Sequence, residues 1–413
     1  MPDRSFRRAL PALALGALLA ACATPTEVRE SPTLPTTPDQ PPAGPAKVAP
    51  PAGRPAPPAL REPPPGPAVV TPLPQPPALT AGRIARYIPS RAKDRDGWAK
   101  DIAVAFHDLG IAATEENICS VVAITDQESL FVADPPVPGL SKIVWKEIET
   151  RRSRYGVPRL VLDGALATRS PDGRSYRKRI DALRTEREMN RLYQDMIGEL
   201  PFGPLLLADR NPVRTGGPMQ VSIAFAERHA RSHGYPYRVE DSIRNEVFTR
   251  RGGMYFGIAI LMDYPAPYDD PVFRFADFNA GRYASRNAAF QQALARVSGA
   301  SLVPDGDLLR YRGGQPDTNP SQTRLAIGRI IDRLGLSARQ VDAELRLEKS
   351  ARFADTELYR RLYRLAEAAR GKALPRAAIP RIRLKSPKIT RKLTTEWFAK
   401  RVRWRFDNCR KRA

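Results

Sequence analysis

The stretch Thr114-Glu115-Glu116-Asn117-Ile118-Cys119-Ser120-Val121-Val122-Ala123-Ile124-Thr125-Asp126-Gln127-Glu128-Ser129-Leu130-Phe131 decides how this chain is read. Thr114 has the side chain of a helix N-cap, and Glu115 and Glu116 place negative charge in the first turn, where the helix dipole favours it. Ile118, Val121, Val122 and Thr125 follow at helical spacing, so one face of the segment is made to be buried. A step of seven residues from Val121 lands on Glu128. The expectation is a helix that ends on an inward carboxylate, with Leu130 and Phe131 supplying apolar shelter. Such a carboxyl holds its proton more tightly, which is what a general acid requires.

Outward from this segment the pattern stays helical. Trp98, Ile102, Ala105, Phe106 and Leu109 recur after Asp96 until Gly110 breaks the run. Downstream, 219–232, 240–250 and 254–263 read as helices, the last with Tyr255, Ile258, Leu261 and Met262 on one side. Beyond Asn319 the pattern resumes at Leu325, Ile327, Ile330, Ile331 and Leu334. Strand-like alternation is scarce, so a mainly α fold is expected. The charged, irregular stretch from about 134 to 211 reads as an insertion carrying a helix or two. We find no internal repeat.

The ends differ in composition. Arg4, Arg7 and Arg8 precede an apolar run over Ala9–Ala21, the layout of an export signal, and Leu19-Ala20-Ala21-Cys22 matches the bacterial lipobox. Residues 1–21 are therefore expected to be a lipoprotein signal peptide, and Cys22 the site of lipidation. Ala23 in place of an aspartate favours the outer membrane, periplasmic face. Between Pro25 and Pro77 lie 20 of the 42 prolines, a composition that cannot bury a core, so 22–80 reads as an extended tether. At the other end, 372–412 holds fifteen Lys/Arg against Glu396 and Asp407, with Trp397, Phe398, Trp404 and Phe406 interleaved. A grip on an acidic polymer or membrane, or simple packing on the main domain, both fit that pattern.

The formal net charge of +23 points to negatively charged partners, which include nucleic acid, lipid headgroups and the peptide carboxylates of a cell-wall polymer. Cys22, Cys119 and Cys409 lack metal-ligand spacing and form no disulfide framework, though pairing of the last two stays open. His229 and His233 stand four apart with Glu227 nearby, but no third ligand is suitably spaced, so no metal site is expected. No phosphate loop follows a strand, and no acyl-transfer triad order is present.

Four short pieces stand in order: Glu128-Ser129, then Gly216-Gly217-Pro218-Met219-Gln220, then the helix around Gly253-Met254-Tyr255, then Phe278-Asn279-Ala280-Gly281. Their order resembles the soluble lytic transglycosylase branch of the lysozyme-like superfamily, whose pattern is Glu-Ser, Gly-Leu-Met-Gln, an apolar helix and Tyr-Asn-Ala-Gly. The similarity spans about Asp96 to Leu294, and the chain as a whole also looks like a family of uncharacterised bacterial lipoproteins. The resemblance implies a lysozyme-like α+β domain over 81–318, with 319–413 as a basic helical extension. It implies cleavage of the bond between N-acetylmuramic acid and N-acetylglucosamine without a cofactor. Glu128 would be the single acid and base, and the product a 1,6-anhydromuramyl end. Ser129 would support Glu128, Met219 and Gln220 would line the glycan groove, and Gly216 and Gly217 would let backbone approach the sugar. Tyr255 would bond near the acid, while Phe278, Asn279, Ala280 and Gly281 would shape the far wall.

Three features depart from that pattern. Gln220 follows Glu128 by 92 positions, several times the usual separation, so the insertion must loop out. Pro218 replaces a leucine, and Phe278 replaces a tyrosine and loses its hydroxyl. The alternative to an enzyme is a protein that holds peptidoglycan without cutting it and tethers the outer membrane to the wall. A membrane binder driven by the basic tail is a third reading. Export and lipidation make nucleic acid the least suitable partner, and oligomeric state is not legible.

Overall fold

Helices α1 (Ala78–Tyr87), α2 (Arg95–Asp108) and α3 (Glu115–Glu128) open the chain in the computed structural model, which describes residues 78–412 except 267, 313 and 385–391. The expected export signal, Cys22 and the Pro-rich stretch to residue 77 lie outside the described residues. The Thr114 hydroxyl accepts from Asn117 N, as its position at the start of α3 requires. Ile118, Val121, Val122 and Thr125 are all buried.

The segment expected as an insertion folds as α4 (Leu140–Arg154), α5 (Arg159–Ala167), α6 (Tyr176–Asp181), α7 (Glu186–Gly198) and α8 (Gly203–Leu207). It gathers a core of its own around Ile148, Leu166, Tyr176, Ile180 and Tyr193. A full capping box starts α7: Thr185 accepts from Glu188 N, and the Glu188 carboxylate accepts from Thr185 N. The chain then forms a hairpin, β1 (Thr215–Gly216) antiparallel to β2 (Val221–Ser222). Helices α9 (Ile223–His233), α10 (Ile243–Glu246), α11 (Arg250–Met262), α12 (Pro271–Ala280) and α13 (Ala284–Ser298) follow.

Two expectations change here. The helix read from Met219 begins only at Ile223, because Gly217 and Gln220 take positive φ, +72° and +49°, and turn the chain back. The helix read over 240–250 is only the four residues of α10, since Ser242 caps its start and Thr249 caps a new helix, α11.

Helices α14 (Gln322–Gly328), α15 (Ile331–Leu334), α16 (Ala338–Leu345), α17 (Glu357–Arg370) and α18 (Thr395–Arg410) complete the chain. Among the described residues the strands form only short antiparallel pairs, Tyr311–Arg312 with Gln315–Pro316 and Arg383–Leu384 with Leu393–Thr394 besides the first hairpin. The fold is mainly α. Phe290 and Leu294 of α13 join Ile327, Leu334, Val341, Phe353 and Leu362 in a second core. Helix α18 returns to the first one, where Phe398, Val402, Phe406 and Cys409 pack against α3 and α12. A Cys119–Cys409 disulfide joins α3 to α18 across 290 positions.

The cores therefore do not divide at residue 319. Helix α13, before that point, belongs to the second core, and α18, at the far end, belongs to the first. Its buried positions recur at helical spacing beneath a charged exterior, so the count of arginines and lysines concealed an apolar face.

Candidate functional site

Helix α11 organises the site. Its Arg250–Met262 run holds three glycines, and each leaves room for a neighbour. A Cβ on Gly253 would stand 2.3 Å from the Pro218 ring, and one on Gly257 would stand 2.5 Å from Met219 Sδ. The hairpin lies against this glycine edge at backbone distance. Gly217 also has a positive φ, and a Cβ there would come within 2.1 Å of Val247 O. On the same stretch of α11, Met254 Sδ accepts from the Thr125 hydroxyl at 3.7 Å. The C-terminal turn of α3 and the Gly216–Gln220 turn are thus both seated on Gly253–Gly257.

Glu128 is half-buried at the end of α3. Its surroundings differ from those expected. Phe131 turns into the core, edge-on to Trp98 at 5.3 Å between centroids, while Leu130 stays 54% exposed. Ser129 donates to Thr125 O at 3.1 Å and so closes the helix. Both Leu130 and Phe131 have positive φ, +54° and +62°, unusual for residues with large side chains. The described chain has six non-glycine residues with positive φ, and Leu130, Phe131, Gln220 and Tyr283 all lie in or just after the quoted motifs. Backbone strain of this kind concentrates at functional sites.

Met219 is 0% exposed and belongs to the core, which corrects its expected place in a groove wall. Gln220 is half-buried; its Nε2 donates to Glu186 Oε2 at 2.9 Å, and its Oε1 accepts from the Thr215 hydroxyl at 3.4 Å. Tyr255 is buried and donates its proton to Asp108 Oδ2 at 2.7 Å, not to a group beside the acid. Phe278 packs on the first core, and the Asn279 side-chain Oδ1 accepts from the Thr395 hydroxyl of α18 at 2.9 Å. Gly281 ends α12 with φ +110°, a backbone state that only glycine adopts easily. Two further carboxylates near the motifs serve structure. Asp277, 1% exposed, accepts from the Tyr264 and Tyr268 hydroxyls and from Tyr283 N and Ser285 N, although burial pushes its pKa up. Asp126 is held by Arg91 and, at 3.4 Å, by Arg405.

Sequence reasoning missed Glu186. It stands in the first turn of α7, so the insertion reaches back to the hairpin, and the Thr185 hydroxyl also donates to Asp134 just beyond Glu128. The residues around Glu186 carry no local signal of where α7 docks. A cleft of about 860 Å³ opens between α7 and residues 240–249, lined among others by Arg187, Arg191, Glu240, Asp241 and Phe248. Glu128, Gln220 and Asn279 do not line it. Among the described residues no group of three His, Cys, Asp or Glu could hold a metal ion. His229 and His233 instead stack at 4.5 Å between centroids, with His229 buried beside Phe225, Tyr255 and Phe256. No described helix is long and apolar enough to cross a membrane.

Fold and site together describe a mainly helical protein with a half-sheltered carboxylate at a helix end and a glycine-seated hairpin beside the same supporting helix. The chain belongs to the family described as protein of unknown function (DUF1615), whose profile matches residues 91–412. It is 50% identical over 331 residues to a protein of Escherichia coli (strain K12) described as uncharacterized protein YaiW, covering 80% of this chain and 89% of that one. No solved structure matches it significantly.

Proposed function

We propose that this protein is an exported lipoprotein of the outer membrane that cuts the glycan strands of peptidoglycan as a lysozyme-like lytic transglycosylase. The observation that carries the reading is the common seat of the Glu128 turn and the Gly216–Gln220 turn on Gly253–Gly257 of α11, with strained backbone in both turns. In this chemistry Glu128 protonates the glycosidic oxygen as the bond from C1 of N-acetylmuramic acid breaks. The substrate's own N-acetyl group steadies the positive charge at C1. The carboxylate then takes the proton of the 6-hydroxyl, whose oxygen closes on C1 to leave a 1,6-anhydro end. The first step needs Glu128 as the carboxylic acid and the second needs it as the carboxylate, so one group serves both. The Cys119–Cys409 disulfide supports export, since such bonds persist in oxidising compartments.

The test is product analysis. Protein lacking residues 1–77, incubated with purified sacculi, should release anhydromuropeptides visible by mass spectrometry, and Glu128→Gln should lower that release by on the order of 10²–10⁴. Absence of anhydro products from the unaltered protein sinks the enzymatic reading. The second reading is a protein that holds the same polymer without cutting it. It is favoured by the engagement of the Gln220 amide with Glu186, and its signature is sedimentation with sacculi without release.

A further inference from the structure

The outward face of α18 serves neither the fold nor the candidate site. Trp397 and Trp404, 39% and 62% exposed, lie two helical turns apart on it, with Arg401 between them. Arg401 lies over the Trp397 ring at 5.6 Å, and Arg405 over Trp404 at 5.8 Å. Leaving two of the chain's four tryptophans half in water is costly unless something covers them.

The surrounding charge is lopsided. Arg405 lies within electrostatic reach of Arg401 and Arg91, and Arg412 within reach of Arg91 and Arg95, while Asp126 is the acid both of them share. Several of these guanidiniums are fixed in place: Arg91 by Asp126, Arg412 by donation to Tyr87 O, and Arg95 by donation to Ala85 O. Asp126 and Glu128 are two residues apart on one helix, about 200° around its axis. The basic patch therefore faces away from the candidate catalytic carboxylate, and a polymer seated at Glu128 would not cover it.

We propose that the Trp397–Arg401–Trp404 face of α18, with Arg91 and Arg412, docks on the surface of a bilayer bearing anionic phospholipid headgroups. Indole rings favour the interfacial layer, where an apolar body and a polar edge are both satisfied, and the guanidiniums meet the lipid phosphates. The apolar side of α18 stays in the core, so the contact is peripheral, and the protein stands on the membrane with Glu128 turned outward. This goes beyond the proposed chemistry and stands without it.

The test uses residues 22–413 carrying Cys22→Ala, so that neither the apolar run at 9–21 nor an acyl group contributes, in sedimentation with phosphatidylglycerol-containing or pure phosphatidylcholine vesicles and, separately, with sacculi. The expected result is binding to the anionic vesicles alone, weakened at high salt. Arg401→Glu and Trp404→Ala should each reduce it about tenfold, while Arg154→Glu, the same charge change on α4, should stay within about twofold. Thermal melts establish that the variants are folded, and Trp397→Ala replaces either one that is not. Equal losses for Arg401→Glu and Arg154→Glu would mean unspecific attraction by net charge and overturn the proposal. So would variants that lose sacculi but keep vesicles, which would assign the face to the wall polymer.

Discussion

Leu130 shows how much a single residue's backbone state can say. It is 54% exposed and nonetheless holds a left-handed φ that costs a side-chain-bearing residue about 1–2 kcal/mol. Leu130→Gly should remove that cost, and after the larger entropy of an unfolded glycine it should raise stability by about 0.5–1 kcal/mol in urea titration. If the turn exists to aim Glu128, the same variant should release fewer anhydromuropeptides. Gly217 is the opposite case: Gly217→Ala forces a methyl against Val247 O at positive φ and should lower stability by about 1–3 kcal/mol. His229 ties stability to pH. It is 4% exposed, and burial first, then His233, depress its pKa from 6.5 to about 4. A histidine depressed in the folded state contributes stability above its unfolded pKa and loses it as pH falls through the folded one. Unfolding free energy should therefore decline between pH 6.5 and about 4, and His229→Phe should flatten that decline in urea titrations across the window.

At the scale of elements, α18 is the piece whose character most depends on its surroundings. Counted by charge it is a basic tail; seated in the fold it is the wedge between α3 and α12. Phe406 sits 5.8 Å from Phe275 between ring centroids, and the Thr395 hydroxyl holds Asn279. Phe406→Ala should cost about 3–5 kcal/mol, read as a lower midpoint in denaturant titration. Reduction of Cys119–Cys409, or the paired serine variant, removes a cross-link spanning most of the described chain and should cost about 2–4 kcal/mol. Since α3 ends on Glu128, loosening α18 acts on the candidate site from behind, without touching any residue in it.

The described residues gather mainly around three larger cores: the chain leaves the first to build that of the insertion, returns to it over residues 213–276, leaves again for the second, and comes back with its last helix. The insertion around α7 lies against the hairpin through Glu186 and Gln220. Its charged cleft beside residues 240–249 is not lined by Glu128. With the basic face of α18 on the opposite side of α3 from Glu128, the proposed membrane contact and the proposed substrate site would face in different directions.

Local chemistry was enough to determine α2 and α3, because Thr114, the first-turn acids and the apolar stripe at 118, 121, 122 and 125 all act within a few residues of one another. It also marked the four motifs and the helical class, whose signals are periodic. The hairpin at Gly217 was obscured because the apolar run from Met219 carries helical spacing, while the positive φ values that turn the chain leave no trace in that pattern. The places of Glu186, Asn279 and α18 came only from tertiary structure. Each is set by a contact more than 30 residues away along the chain, and nothing in a residue's neighbours records which distant surface it will meet.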